Sequence, residues 1–282
     1  MALSQAAFPR ELERQIFEIA ALSRPTSIPT LVLVAWRVKE WVEPLLYRTL
    51  IVDDGDTVWF PSTTYTHRIY EFRNFCLAVQ SDSWPMIINE RPLAAHLSVI
   101  RNLQICETLE DYWPIVLCDG LQNLWTVSLP PASMLEHLLL RRLHGFLDEL
   151  FMCLSPTRRF FSQMTHLEMF CTEEHPSTWL ARLPLLPQLS HFSFNYEDLL
   201  PICSDLLQAC TLLSVLVYFQ WSCYPPYTGP AISDIRFVLV GAIHSRSAWL
   251  RGIRTGMDYW QRAEMLIAQR RSGVIDASTR SI

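Results

Sequence analysis

A short apolar pattern recurs along most of this chain at nearly constant spacing, and it restricts the folds that the chain can adopt. The pattern is Leu-x-x-Leu-x-Leu, with other large apolar residues allowed at the fixed positions, and its last five residues alternate as a β-strand does. Matches begin at Ile100, Leu124, Leu140, Met164, Leu189, Leu213 and Phe237. Successive starts are 24, 16, 24, 25, 24 and 24 residues apart. All but one interval falls within the about 20–29 residues of a repeat that supplies one strand and one further segment.

The segments between the matches carry helical periodicity. From Asp198 to Cys210, apolar residues follow the three-and-four spacing of one helical face. Ser177 to Leu183 forms a shorter helix of the same kind. Strands that alternate with helices predict an α/β fold in which parallel strands line one side and helices line the convex side.

These features resemble the leucine-rich repeat, which implies a solenoid over residues 96–254. Many such repeats have an asparagine after the strand, but Thr108, Ala132, Thr172, Glu197 and Trp221 occupy that place here, so an irregular solenoid is expected. Residues 255–273 contain a separate amphipathic helix, predicted to cap the open end of the stack. Residues 51–95 form an irregular connecting region, and residues 1–7 and 274–282 are predicted to be disordered.

Residues 8–50 precede the repeats and predict a short helical segment. Leu12, Ile16, Ile19 and Ala20 share one face of a first helix, which must end before Pro25. A second helix follows Ile28-Pro29, and a strand is predicted near Tyr47.

The helical segment resembles the F-box-like proteins expanded in mushroom-forming fungi. The resemblance rests on Phe8-Pro9-x-Glu11-Leu12, on Ile16-Phe17 and on Pro44-Leu45-Leu46-Tyr47-Arg48. It implies that the segment docks on the Skp adaptor of a cullin–RING ubiquitin ligase while the body recruits a target. The residues implied to contact the adaptor are Pro9, Leu12, Ile16, Phe17, Val34 and Val38. The alternative is that these side chains pack the helices against the first repeat.

Side chains on the concave face of a repeat stack commonly bind partners. The positions predicted to bind a target are Gln104, Ser128, His166, Glu168, His191, Ser193, Asn195 and Phe219. His166 and His191 should be neighbours about 4.8 Å apart, either as a site for a metal or an acidic group or as ordinary polar residues of the sheet. Val215, Val217 and Phe219 either form a contact patch or are covered by residues 221–230.

Composition narrows the class of function. The net charge of -5 gives no basic excess for nucleic acid. No apolar run is long enough to span a membrane, and the charged first twenty residues do not resemble a signal peptide. The eight cysteines lack zinc-ligand spacing, and the motifs of common catalytic and nucleotide sites are missing.

We therefore expect a non-catalytic protein of the cytoplasm or nucleus that needs no cofactor or metal. The predicted function is the substrate-recognition subunit of a Skp–cullin–F-box ubiquitin ligase. The alternative is a free-standing leucine-rich-repeat scaffold that binds proteins without a link to ubiquitin.

Overall fold

The computed structural model describes residues 8–53, 57–59, 66–68, 99–106, 118, 120–146, 150–170, 175–220, 232–241, 245–255 and 257–282. Residues 1–7, most of the region 51–95 and the segment 221–230 lie outside this part of the chain, so the predictions made for them are not addressed. The strands are β1 (Thr49–Asp53), β2 (Thr57–Trp59), β3 (Thr66–Arg68), β4 (Asn102–Ile105), β5 (Asn123–Thr126), β6 (Arg142–Phe146), β7 (His166–Phe170), β8 (His191–Phe194), β9 (Val215–Gln220) and β10 (Phe237–Gly241).

All ten strands form one sheet in the order β10-β9-β8-β7-β6-β5-β4-β1-β2-β3. Strand β1 and strands β4 to β10 are parallel neighbours, whereas β2 and β3 extend the β1 edge as an antiparallel pair. The parallel sheet confirms the α/β class and is consistent with a solenoid. The stack also begins earlier than predicted, because Leu50 of β1 pairs with Leu103 of β4.

The strand pairing corrects two repeat starts by three residues. Leu103 aligns with Leu124, and Leu216 aligns with Phe237, so both Leu124 and Phe237 stand at the second apolar position of their repeats. The first position of the β5 repeat is Leu121, which is also buried. From the sequence, a start at Leu124 matches the template better, because Val127 and Leu129 complete it, whereas a start at Leu121 places Thr126 at the third apolar position. The pairing with β4 nevertheless selects Leu121.

Gly145 explains the weak match of the repeat that begins at Leu140. It stands where the template has a leucine and pairs with Thr126 of β5. A Cβ atom on Gly145 would lie 2.3 Å from the Thr126 carbonyl oxygen, so the close approach of the two strands excludes any larger residue.

The helices are α1 (Arg10–Ser23), α2 (Ile28–Leu31), α3 (Trp36–Val42), α4 (Ala132–Leu135), α5 (Leu150–Cys153), α6 (Pro176–Arg182), α7 (Cys203–Ala209), α8 (Ser245–Thr255) and α9 (Tyr259–Arg271). Short 3-10 turns cover 25–27, 43–47, 159–161, 183–185 and 197–202. Helices α4 to α7 contribute side chains to one large core on the first face of the sheet, where Trp179 of α6 stacks on Phe192 of β8. Among the described residues, no helix is long and apolar enough to cross a membrane.

Helices α1 to α3 form a small bundle with its own core. Ala21, Ile28, Val38 and Val42 are completely or almost completely buried there. Four such residues make a small core, so the bundle depends on its contacts with the rest of the chain, such as those between α8 and residues 25–27.

The C-terminal helix α9 lies on the second face of the sheet, so the structure does not confirm the prediction that it caps the open end. Tyr259, Trp260, Ala263 and Ile267 of α9 pack with apolar residues of β9 and β10 in one buried cluster. The apolar pattern of the helix correctly identified its buried side. The pattern alone does not say which surface that side covers.

Residues after α9 cover the open edge instead, although the tail was predicted to be disordered. The backbone N–H of Leu239 in β10 donates to the Arg280 carbonyl at 2.7 Å, and the Ile282 N–H donates back to Leu239 at 3.1 Å. The buried Arg270 guanidinium donates to the Thr279, Ile235 and Phe237 carbonyl oxygens. Arg270 thereby joins α9, the tail and β10.

Candidate functional site

The apolar stripe of α1 faces solvent. Leu12, Ile16 and Ile19 are 48%, 52% and 64% exposed, whereas Phe17 and Ala21 of the same helix belong to the bundle cluster. An amphipathic helix ordinarily buries its apolar stripe against the protein. Among the residues that the structure describes, none covers the wider apolar face of α1.

An ion pair and the bundle core together orient α1. The Arg37 guanidinium of α3 donates two hydrogen bonds to the Glu13 carboxylate, at 3.0 and 2.7 Å. These hydrogen bonds lower the pKa of Glu13 below its ordinary value. Because Ala21 packs in the bundle core and Glu13 contacts α3, Leu12 and Ile16 are left on the outside.

The link between α2 and α3 and the first residue of α3 expose further large apolar side chains. Leu33, Val34 and Trp36 are all exposed, Leu33 by 83%. We define the N-terminal apolar surface as the exposed residues Phe8, Leu12, Ile16, Ile19, Leu33, Val34 and Trp36. Soluble proteins seldom expose so much apolar side chain within one short segment unless it binds something.

The residues predicted to contact the adaptor divide into three groups. Pro9, Leu12, Ile16 and Val34 are exposed, and Phe17 is half-buried. Val38 is completely buried in the bundle core, so its predicted direct contact with an adaptor is wrong. The packing alternative therefore holds for Val38 and in part for Phe17, whereas the four exposed residues contact no core.

The positions predicted to bind a target on the concave face are largely covered. Ser128, His166 and Asn195 are half-buried. The others are buried, so their predicted direct contact with a target is wrong: Gln104, Glu168, His191, Ser193 and Phe219. On strands β7 to β9, these positions are buried because Tyr259 and Trp260 of α9 lie against them. Phe219 contacts the Tyr259 ring edge-on at 4.7 Å between centroids.

A buried polar network fastens α9 to the sheet. The Tyr259 hydroxyl donates to Glu168 Oε2 at 2.7 Å and also lies 3.1 Å from Ser193 Oγ. His144 Nδ1 lies 2.5 Å from the same carboxylate oxygen. Burial, followed by the charge of Glu168, raises the pKa of Tyr259 well above its ordinary value, so its hydroxyl keeps the proton that it donates. The network has no opening to solvent and serves to position α9.

His166 and His191 are neighbours, as the repeat spacing predicted. Their rings stack with centroids 4.0 Å apart, and the Trp260 ring lies edge-on to both, at 5.3 and 5.4 Å. His191 Nε2 lies 3.0 Å from Glu264 Oε1 of α9, so the acidic group beside the pair comes from the chain itself. Burial lowers the pKa of both histidines. No group of three metal-binding side chains occurs among the residues that the structure describes.

Comparison of the chain with protein-family models, with curated proteins and with solved structures found no match in any of the three.

Proposed function

We propose that the chain is the substrate-recognition subunit of a Skp–cullin–F-box type ubiquitin ligase, which docks on the adaptor through the N-terminal apolar surface. The observation that carries this proposal is the outward apolar face of α1, within the segment that resembles an F-box-like motif. A free-standing scaffold would need no solvent-facing stripe on its first helix.

The exposed side chains suit a protein interface. Burying one leucine or isoleucine side chain contributes about 1.5–3 kcal/mol, and a few such residues dominate a typical interface. Leu12, Ile16 and Val34 stand outside every core cluster of the described residues, so a partner reaches them without disturbing the fold. Pro9 lies at the N-terminal end of α1 and extends the same exposed surface.

Recruitment of a target by the repeat body is the second part of the proposal. Because α9 covers β7 to β9, the target must contact other surfaces or the half-buried positions Ser128, His166 and Asn195. The proposed role places the protein in the cytoplasm or nucleus, where such ligases act, and it requires no chemistry of its own.

The double substitution Leu12→Asp and Ile16→Asp is expected to weaken binding of the purified full-length chain to the Skp adaptor by at least tenfold. Two carboxylates on the docking face must lose water on binding, and a tenfold loss corresponds to about 1.4 kcal/mol. Isothermal titration calorimetry with the adaptor measures the change. Both residues are exposed, so the melting temperature is expected to stay near the wild-type value.

The matched control is Leu212→Asp, which changes a leucine of the repeat body that is 60% exposed. It is expected to bind the adaptor with wild-type affinity. No binding by the wild-type chain, or equal binding by the double variant, would favour the free-standing scaffold instead.

A further inference from the structure

A cavity of about 510 Å³ lies where the helical bundle, the sheet and the C-terminal helices meet. Its floor is formed by the first residues of neighbouring strands: Thr49, Asn102, Asn123, Arg142 and His166. Residues of α1 and α2 lie on one side, and residues of α8 and the start of α9 lie on the other. A volume of this size suits a small ligand.

The charges of the cavity are predominantly positive. Arg48, Arg141 and Arg142 line it, and Asp258 is the one acidic residue among its described lining. The Asp258 carboxylate is already paired with Arg142 at 2.6 Å. The remaining two arginines therefore leave an excess of positive charge within the cavity.

Arg48 is half-buried, whereas Arg141 is exposed. Within the described part of the chain, the Arg48 guanidinium has no hydrogen bond and no carboxylate partner. Burial, followed by repulsion from Arg101, lowers the pKa of Arg48 below its ordinary value. A half-buried arginine beside a second cation is unfavourable unless an anion compensates the charge that has lost water.

A chain of hydrogen bonds leaves the Thr49 hydroxyl as a further donor in the cavity lining. Asn123 Nδ2 donates to Asn102 Oδ1 at 2.5 Å, and Asn102 Nδ2 donates to Thr49 Oγ1 at 2.9 Å. Because Thr49 accepts the last of these bonds, its hydroxyl proton is directed elsewhere. Thr49 and Arg48 both line the cavity, so this hydroxyl and the guanidinium are two donors on the same cavity lining.

Apolar walls stand on both sides of the arginines. Ile28 and Leu45 belong to the bundle, and Trp249 and Ile253 belong to α8. The cavity thus combines a cationic, hydrogen-bonding floor with apolar sides. This combination recognises an anion attached to an apolar group rather than a bare ion.

We propose that this cavity binds a small organic phosphate. The guanidinium groups of Arg48 and Arg141 and the Thr49 hydroxyl hold the phosphate oxygens, since a planar guanidinium matches an oxyanion with two parallel hydrogen bonds. The apolar part of the ligand lies between Leu45 and Trp249. A bound ligand contacts both the bundle and the repeat body and so stabilises their arrangement. Adaptor docking uses the opposite side of α1, so the two proposals can fail separately.

The test uses phenyl phosphate with the full-length chain, and thermal unfolding and isothermal titration calorimetry as readouts. Phenyl phosphate at millimolar concentration is expected to raise the melting temperature of the wild-type chain by a few degrees, because it binds only the folded state. Arg48→Gln and, separately, Arg141→Gln are expected to weaken binding at least tenfold. Without ligand, Arg48→Gln is expected to be at least as stable as the wild type, because it removes the repulsion from Arg101.

Control ligands separate phosphate binding from effects of salt and of the aromatic ring. Sodium chloride at equal ionic strength tests the effect of salt, and benzyl alcohol at equal concentration tests the effect of the ring. Both are expected to give less stabilisation than phenyl phosphate. Arg159→Gln changes an exposed arginine outside the cavity and is expected to bind phenyl phosphate as the wild type does. The proposal is overturned by the absence of binding to the wild type, or by equal binding to both cavity variants.

Discussion

Replacing Trp260 with alanine is expected to lower the free energy of unfolding by about 3–5 kcal/mol, the usual cost of removing a buried aromatic side chain. Trp260 is 1% exposed and lies against the stacked rings of His166 and His191. Its loss leaves a void between α9 and the sheet that the rigid β-strands cannot fill. Urea unfolding monitored by circular dichroism measures the change.

Met265→Ala is the matched control on the same helix, because Met265 is 45% exposed. Its expected cost is within about 0.5 kcal/mol. If Trp260→Ala were no more destabilising than Met265→Ala, then α9 would not rest on the second face of the sheet in solution. The predicted target-binding positions of that face would then be open to a partner.

Acidification is expected to destabilise the chain through His166. Burial first, and then the charge of Arg142, hold the pKa of His166 well below its ordinary value of 6.5. The native state therefore keeps this imidazole neutral, whereas the unfolded chain takes up a proton as the pH falls below about 6.5. Stability is thus fully present above that pH and declines below it, by up to about 1.4 kcal/mol per pH unit for this group.

Denaturant unfolding between pH 7.5 and 5 measures this decline. His166→Phe keeps a flat ring beside His191 and Trp260 but cannot take up a proton, so its stability is expected to fall less steeply. Thr165→Val removes a hydroxyl that lies 2.8 Å from His166 Nδ1 while keeping the imidazole. It is expected to retain the wild-type pH dependence. Equal slopes for His166→Phe and the wild type would contradict the assignment.

The parallel sheet could be predicted from the sequence because each repeat places large apolar residues at fixed intervals. Leu143, Leu167 and Phe192 occupy equivalent places in neighbouring strands, as expected. The register of β5 could not be predicted, because the start at Leu124 matches the template better than the observed start at Leu121, and the deciding hydrogen bonds join distant residues.

The position of α9 could not be predicted for a related reason. Its sequence shows which side is apolar, but the surface that receives this side is built from several earlier strands, β7 to β10. The sequence contained one indication that this sheet face is covered. Val215, Val217 and Phe219 are too apolar for an open sheet face. The sequence left residues 221–230 as the candidate cover, whereas the described structure shows Tyr259 and Trp260 in contact with this face.

The outward orientation of α1 could not be predicted from the sequence either. The pattern of Leu12, Ile16 and Ile19 predicted an amphipathic helix, yet such a pattern ordinarily marks the side that packs inward. The orientation involves contacts between different helices: the Glu13–Arg37 pair and the packing of Ala21 in the bundle core. For Val38 the error was the opposite one: it was predicted to contact the adaptor, but it is buried in the bundle core. A family resemblance does not distinguish a core residue from a contact residue.

Hydrogen–deuterium exchange of the full-length chain, with and without the Skp adaptor, tests the central claim most directly. We predict that the adaptor slows exchange in α1 and in residues 33–36, and leaves exchange in β7 to β10 and α9 unchanged. Protection confined to the sheet and α9, or no protection anywhere at saturating adaptor, would contradict the proposal that the N-terminal apolar surface is the docking site.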